Sequence, residues 1–185
     1  LFGFFVSGSH EPSFIIYDFE VLKTLPKQEI ISGYAEIIKH ALIANPTLFE
    51  YLEKNYKKAL SLEPTIMKKI LSDSVKVKLD IVKKDEFEKC ERRKLNFGHT
   101  FGHAIEKISP ISHGKAVGLG MIIALRISKR MGMISEKTYR RILVLIKNYG
   151  LPTSSKINSK LLLNKIRMDK KREGKLMIVV VVFFD

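Results

Sequence analysis

Asn96-Phe97-Gly98-His99-Thr100-Phe101-Gly102-His103, followed by His113-Gly114, is the stretch from which the rest of this sequence is read. Three of the chain's five histidines fall here within fifteen residues. On a helix, residues four apart share a face, with Cβ atoms about 5–6 Å apart. His99 and His103 therefore form a pair that can share a metal ion, or one can bind metal while its neighbour holds substrate. Gly98 and Gly102 repeat the four-residue step. They weaken a helix but let another backbone or a ligand approach closely. The plain alternative is two ordinary helix-surface histidines and a capping one, and a partner carboxylate is what separates the two readings.

Ala35-Glu36-Ile37-Ile38-Lys39-His40 supplies such a carboxylate. Glu36 would complete a two-histidine, one-glutamate shell with one position left open, as catalytic zinc requires. By itself the stretch is a weak signal, since such pairs on a helix are usually surface electrostatics, and spacing leaves His40 open as a competing ligand. Cations sit nearby in the chain: Lys76-Val77-Lys78, and Arg92-Arg93-Lys94 just before Asn96. Arginine can clamp phosphate or carboxylate in bidentate fashion, although Lys and Arg are also the commonest surface residues. Asp169-Lys170-Lys171-Arg172-Glu173-Gly174-Lys175 reads as a basic turn before a strand. Cys90, between Lys89 and Glu91, reads as an ordinary surface cysteine rather than an activated thiol.

Working outward, the periodicity is helical over most of the chain. Ser13 to Asp18 looks like a short buried strand, and Phe19 to Leu25 a brief helix punctuated by Pro26. From Gln28, the residues Ile30, Ile31, Tyr34, Ile37, Ile38 and Leu42 recur at three- and four-residue steps. Asn45-Pro46 closes that helix, and Pro46 suits the first turn of another carrying Leu48, Phe49 and Leu52. Pro64 opens a long amphipathic helix to about Lys84, and residues 85–95 form a charged connector. Phe97–Ile108 and Gly114–Met131 read as two more helices, separated by Ser109-Pro110. Ser135 caps a further helix that ends at Gly150, with Pro152 beyond. A helix from about Ser159 to Met168, a polar turn and a strand from Leu176 to Phe184 complete the chain. The fold class is mainly α.

The chain has 185 residues, with 33 Lys/Arg against 19 Asp/Glu and a net charge of +14. Its 45% hydrophobic and 28% charged content is that of a globular protein. No apolar run reaches the roughly 18 residues of a membrane span. A single cysteine excludes an intramolecular disulfide framework and a multi-cysteine zinc site. The charge is uneven: residues 126–175 carry 15 Lys/Arg and 3 Asp/Glu. Such a segment suits a basic helical module for nucleic acid, an anionic membrane surface or phosphorylated small molecules, and composition alone favours a solvated surface. No zinc finger, RNP-type strand or GXXG clamp accompanies it, so nucleic acid is the weaker expectation.

Together these residues resemble the 3-dehydroquinate synthases of the sugar-phosphate cyclase superfamily. Glu36-Ile37-Ile38-Lys39, Lys78, Arg92 to Asn96, the double Gly-His motif, His113-Gly114 and Asp169-Lys170-Lys171 follow one another in that family's order. The resemblance covers nearly the whole chain and is most specific at Asn96–His103 with His113. It implies the multihelical C-terminal metal- and substrate-binding domain over residues 28–185. Residues 1–27 would be a remnant of the NAD-binding α/β domain and its linker. No Gly-rich dinucleotide fingerprint appears in the chain, so most NAD contacts would lie outside it.

By the same resemblance, NAD transiently oxidises a ring hydroxyl of a phosphorylated seven-carbon keto acid. Phosphate is eliminated, the ketone is reduced again, and ring opening with aldol closure gives 3-dehydroquinate on the way to aromatic amino acids. Glu36, His99 and His113 would ligate Zn2+, or Co2+ in its place. Lys39, Lys78, Arg92, Asn96, His103 and Lys170 would hold substrate, and all but Lys170 are expected to take part in catalysis. Another sugar-phosphate cyclase or a metal-dependent alcohol dehydrogenase would use a similar Glu/His arrangement. A homodimeric, cytoplasmic enzyme is expected, of which these 185 residues are a part with negligible turnover alone. Two departures stand out: Lys115 occupies a position where the family has glutamate, and Leu1 to Glu11 matches poorly. The first reverses a charge two residues from a presumed ligand and is expected to weaken the site.

Overall fold

The computed structural model describes residue 18, residues 20–85 and residues 91–173, with side chains described as far as Met168. A 3-10 turn at Glu20–Thr24 leads into α1 (Lys27–Ala44), α2 (Pro46–Leu60) and α3 (Pro64–Lys84). A second 3-10 turn, Glu91–Asn96, precedes α4 (His99–Glu106), α5 (His113–Arg130), α6 (Glu136–Asn148) and α7 (Ser159–Glu173). No strand occurs among the described residues. The strand expected at Leu176–Phe184 lies outside them, as do Cys90 and all of the expected N-terminal strand except Asp18.

The helix starts follow local chemistry. Asn45 caps α2 by accepting a hydrogen bond from the Leu48 N–H at 2.9 Å, with Pro46 in the first turn. Pro64 opens α3, and the Glu63 carboxylate accepts from the Thr65 and Ile66 amides at 3.1 and 3.2 Å. The Ser135 hydroxyl accepts from the Thr138 amide at 3.0 Å to start α6.

Three boundaries differ from expectation. The helix expected from Phe97 begins at His99, because Gly98 takes a left-handed φ of 80° and turns the chain first. Residues 91–96 of the expected connector wind into a 3-10 turn. The polar turn expected after Met168 is instead the last turn of α7, which runs to Glu173. Straight-chain charged residues are good helix formers, and no Gly or Pro interrupts the segment before Gly174.

The buried centre is α5, which packs against α4, α1 and α6, while α3 supports α1 and α2 from the other side. Residues Ala116 to Ile122 of α5 are all buried, as suits a helix surrounded by others. Its glycines let neighbouring backbones touch it. A Cβ at Gly120 would overlap the carbonyl oxygen of Gly98 on the approach to α4, and one at Gly114 would overlap the backbone of Ser32 in α1. These contacts place the site: Glu36 lies one turn along α1 from Ser32, His99 follows Gly98, and His113 precedes Gly114. The chain draws its helices closest beside its candidate ligands.

Candidate metal centre

Glu36 projects from the middle of α1, His99 from the first residue of α4 and His113 from the first residue of α5. One ligand atom from each of the three lies within 4.8 Å of the others. The Glu36 Oε1 and His99 Nε2 atoms are 3.5 Å apart. The His99 ring centroid is 5.4 Å from those of both His103 and His113. A hydrogen bond between the Ser32 and Ser112 hydroxyls, 3.1 Å long, ties α1 to the start of α5 and fixes this meeting.

Two of the three candidate ligands are oriented by partners close by. Glu36 Oε2 accepts from Lys39 Nζ at 2.5 Å, which leaves Oε1 as the oxygen facing His99. His99 Nδ1 lies 3.4 Å from the Phe97 carbonyl oxygen. With the proton on Nδ1, Nε2 is left as the acceptor facing Glu36. Glu36 Oε1 is buried and has no hydrogen-bond partner among the described residues. A buried acceptor left unpaired costs about 1–3 kcal/mol, and a cation between it and the two imidazoles would relieve that cost. One carboxylate and two imidazoles also match a catalytic zinc shell with an open position. The residues fit the metal that the family resemblance implies.

The electrostatics agree. Burial pushes the Glu36 carboxyl upward, but the opposing effects, led by the Lys39 charge, hold the group below its ordinary value, so it stays ionised. His99 is pushed down to about 4, first by burial and then by the Lys39 charge, which keeps it neutral and ready to donate a lone pair. Burial also brings Lys39 below the usual lysine range, with Glu36 opposing.

The other expected residues divide. His40 is buried on α1 with Nδ1 at 2.8 Å from the Ser74 hydroxyl of α3. It belongs to neither metal-capable group among the described residues. His103 shares the His99 face as its spacing requires, and lies with Glu106 and His113 in a second group of ligand atoms within 4.8 Å. Lys78 is exposed on α3, near enough for its charge to act on Lys39 and His40. Arg92 and Asn96 stand on the 3-10 turn that packs against α1 and α3, and the Arg92 amide donates to Asp85 Oδ2 at 3.0 Å. Lys170 falls in α7, but its side chain lies outside the described residues. Lys115 lines a separate cavity of about 440 Å³ with Ser109, Ile111, Lys156 and Ile157.

Four supporting residues leave little trace in the sequence: Ser74 beneath His40, the tied pair Ser32 and Ser112, and Glu106, whose Oε1 lies 3.1 Å from His113 Nδ1. Only Glu106 left a signal, since it follows His103 at a same-face helical step.

Comparison with known proteins gives the family. The model of the 3-dehydroquinate synthase C-terminal family matches residues 33–172. The curated 3-dehydroquinate synthase of Thermoanaerobacter pseudethanolicus is 41% identical over 180 residues, covering 95% of this chain and 51% of its own length. That of Thermodesulfovibrio yellowstonii is 38% identical over 176 residues, 92% of this chain and 49% of its own. The chain thus spans about half the length of the curated relatives it matches. Among solved structures, 2-epi-5-epi-valiolone synthase from Streptomyces hygroscopicus, with NAD+ and Zn2+ bound, superposes with a TM-score of 0.77 at 25% identity. It is matched over 84% of this chain and 44% of its own. A 2-deoxy-scyllo-inosose synthase, complexed with carbaglucose-6-phosphate, NAD+ and Co2+, gives 0.74 at 26% identity, over 89% and 47%. With its helical fold, its ordered motifs and a family match over residues 33–172, this chain belongs to the 3-dehydroquinate synthase C-terminal family.

Proposed function

We propose that this chain is the metal- and substrate-binding part of a 3-dehydroquinate synthase. It would be a lyase that eliminates phosphate from a phosphorylated seven-carbon keto acid to give 3-dehydroquinate. The observation that carries the reading is Glu36 Oε1, buried without a hydrogen-bond partner among the described residues and facing His99, with a ligand atom of His113 within 4.8 Å of theirs, in a chain of this family. Residues 28–185 would form the helical domain, and residues 1–27 would belong to the linker and NAD-binding domain. The whole enzyme would be a cytoplasmic homodimer. No helix among the described residues is long and apolar enough to cross a membrane.

In this reading Glu36, His99 and His113 hold Zn2+ or Co2+. When bound, the metal supplies a Lewis acid that lowers the pKa of the substrate hydroxyl, and NAD, held mostly outside this chain, supplies the redox partner. The chain's own residues do the rest. Lys39, pinned to Glu36, holds positive charge at the floor of the site, and Lys78 adds a second cation from α3. Arg92 and Asn96 bind and orient the substrate's anionic and hydroxyl groups, arginine in bidentate fashion. His103, exposed beside His99 and His113, is placed to exchange a proton near the departing phosphate. Lys170 contacts the substrate from α7. A phosphate and a carboxylate on one substrate need several preorganised cations around a single site.

A chimaera tests this. The chain is joined to the part of the Thermoanaerobacter enzyme outside the match, and phosphate release from the seven-carbon substrate is followed with NAD. We expect metal-dependent release that Glu36→Gln and His99→Ala abolish. No release from a folded chimaera, while the parent enzyme turns over, would overturn the proposal. Another sugar-phosphate cyclase activity is the second reading, favoured by the two solved neighbours. Product analysis with other phosphorylated sugars separates the two, and the higher identity to curated 3-dehydroquinate synthases supports the first.

A further inference from the structure

We propose that Glu106 is the positioning residue of His113: its carboxylate holds the imidazole in the tautomer and orientation that present one ring nitrogen to the metal. The inference rests on the metal reading above and deepens it. Glu106 is the last residue of α4 and His113 the first of α5, so their contact closes the loop between the two helices. Its Oε1 lies 3.1 Å from His113 Nδ1. With the proton on Nδ1 donated to Glu106, Nε2 is left as the free acceptor.

The need for such a partner follows from exposure. The side chains of His99 and Glu36 are 17% and 25% exposed, whereas that of His113 is 50% exposed. Packing fixes the first two, and each also has its own tether, the Phe97 carbonyl for His99 and Lys39 for Glu36. His113 sits at a helix start with its side chain half exposed, and among the described residues its hydrogen bond is to Glu106. A carboxylate behind a ligating histidine both fixes the ring and raises its basicity, and its loss costs metal affinity about 10–100-fold. Glu106 therefore completes a set in which every ligand is held from behind.

The test uses the full 185-residue chain and two substitutions, with zinc itself as the probe. Zinc affinity is measured by competition with a chromophoric chelator, and stoichiometry by metal analysis. Imidazole 15N chemical shifts of the metal-free chain report the His113 tautomer. Glu106→Ala is expected to weaken zinc about 10–100-fold and to shift His113 away from the Nδ1–H form. Glu106→Gln keeps an acceptor oxygen, so it should retain the tautomer and lose less affinity. Helical circular dichroism and the wild-type stoichiometry of one zinc per chain should hold in both. Affinity within about twofold of wild type in both variants would overturn the positioning role. Two zinc ions per wild-type chain, one of them lost in Glu106→Ala, would overturn it differently, making Glu106 a ligand alongside His103. A wild-type chain that takes up no zinc refutes the metal reading itself.

Discussion

Substituting Gly114 by alanine should break the site from one side while a twin substitution one turn away leaves it intact. A Cβ at Gly114 would overlap the Cα of Ser32 and lie 2.5 Å from that residue's carbonyl oxygen. Both are backbone atoms of α1, so relief requires α5 and α1 to separate rather than a side chain to swing aside. A Cβ at Gly118 meets only the Leu151 side chain, at 3.6 Å, which is ordinary contact. Overpacking costs typically about 1–3 kcal/mol, and a backbone clash on this scale belongs at the top, about 3 kcal/mol. For a chain of this length that is a fall in Tm of about 6–12 °C. Gly118→Ala should instead gain about 0.5–1 kcal/mol of helix propensity, a rise of about 1–4 °C. Thermal unfolding followed by circular dichroism reads both. Because His113 precedes Gly114, zinc affinity should fall in Gly114→Ala and hold in Gly118→Ala. Equal melting temperatures for the two variants, or unimpaired zinc binding by Gly114→Ala, would refute the close-approach account.

Three other expectations follow from buried polar groups. His40 is pushed down from 6.5 to about 3 by burial first and Lys39 second. The unfolded chain therefore binds a proton that the folded chain refuses, so stability is full above about pH 6.5 and drains away toward about pH 3. This one group should cost about 2 kcal/mol between about pH 7 and about pH 5, and urea midpoints of His40→Asn should fall less over that range than those of wild type. Glu36→Gln removes the partner of Lys39, whose side chain is 4% exposed. Metal-free stability should drop by about 3 kcal/mol, and the gain that saturating zinc gives the wild type should vanish, as thermal shift with and without zinc would show. The Tyr149 hydroxyl donates to the Leu52 carbonyl at 3.1 Å, far from the ligands in sequence. Tyr149→Phe should cost about 1 kcal/mol and leave zinc affinity unchanged, measured by denaturation and chelator competition.

The helices were legible because their signals are local. Pro46, Pro64, Ser135 and the apolar steps of α1 mark starts and faces without reference to the rest of the chain. Gly98 was less legible: its left-handed turn and its close approach to α5 depend on a helix that follows later in the chain. The His99–His103 face was readable from spacing, yet spacing alone could not decide whether Glu36 or His40 joins it. Both lie on α1, four residues apart, and the difference is that Ser74 of α3 takes up the His40 ring nitrogen. Such pairings belong to tertiary packing. The basic stretch 126–175 looked like a patch in sequence. In the structure its Lys129 and Arg140 pair with Glu136 at 3.0 and 2.6 Å, and Arg141 with Glu53 at 2.5 Å. The acids that offset it come partly from α2, which no count over a window reveals.

The central claim is that Glu36, His99 and His113 form one metal shell. Zinc-edge X-ray absorption on the zinc-loaded 185-residue chain tests it most directly, with Glu36→Gln and His99→Ala as companions. The account predicts one zinc held by imidazole nitrogens and a carboxylate oxygen at about 2.0–2.2 Å, with occupancy lost in both variants. A sulfur shell at about 2.3 Å from the single cysteine, or zinc retained in full by either variant, would contradict it.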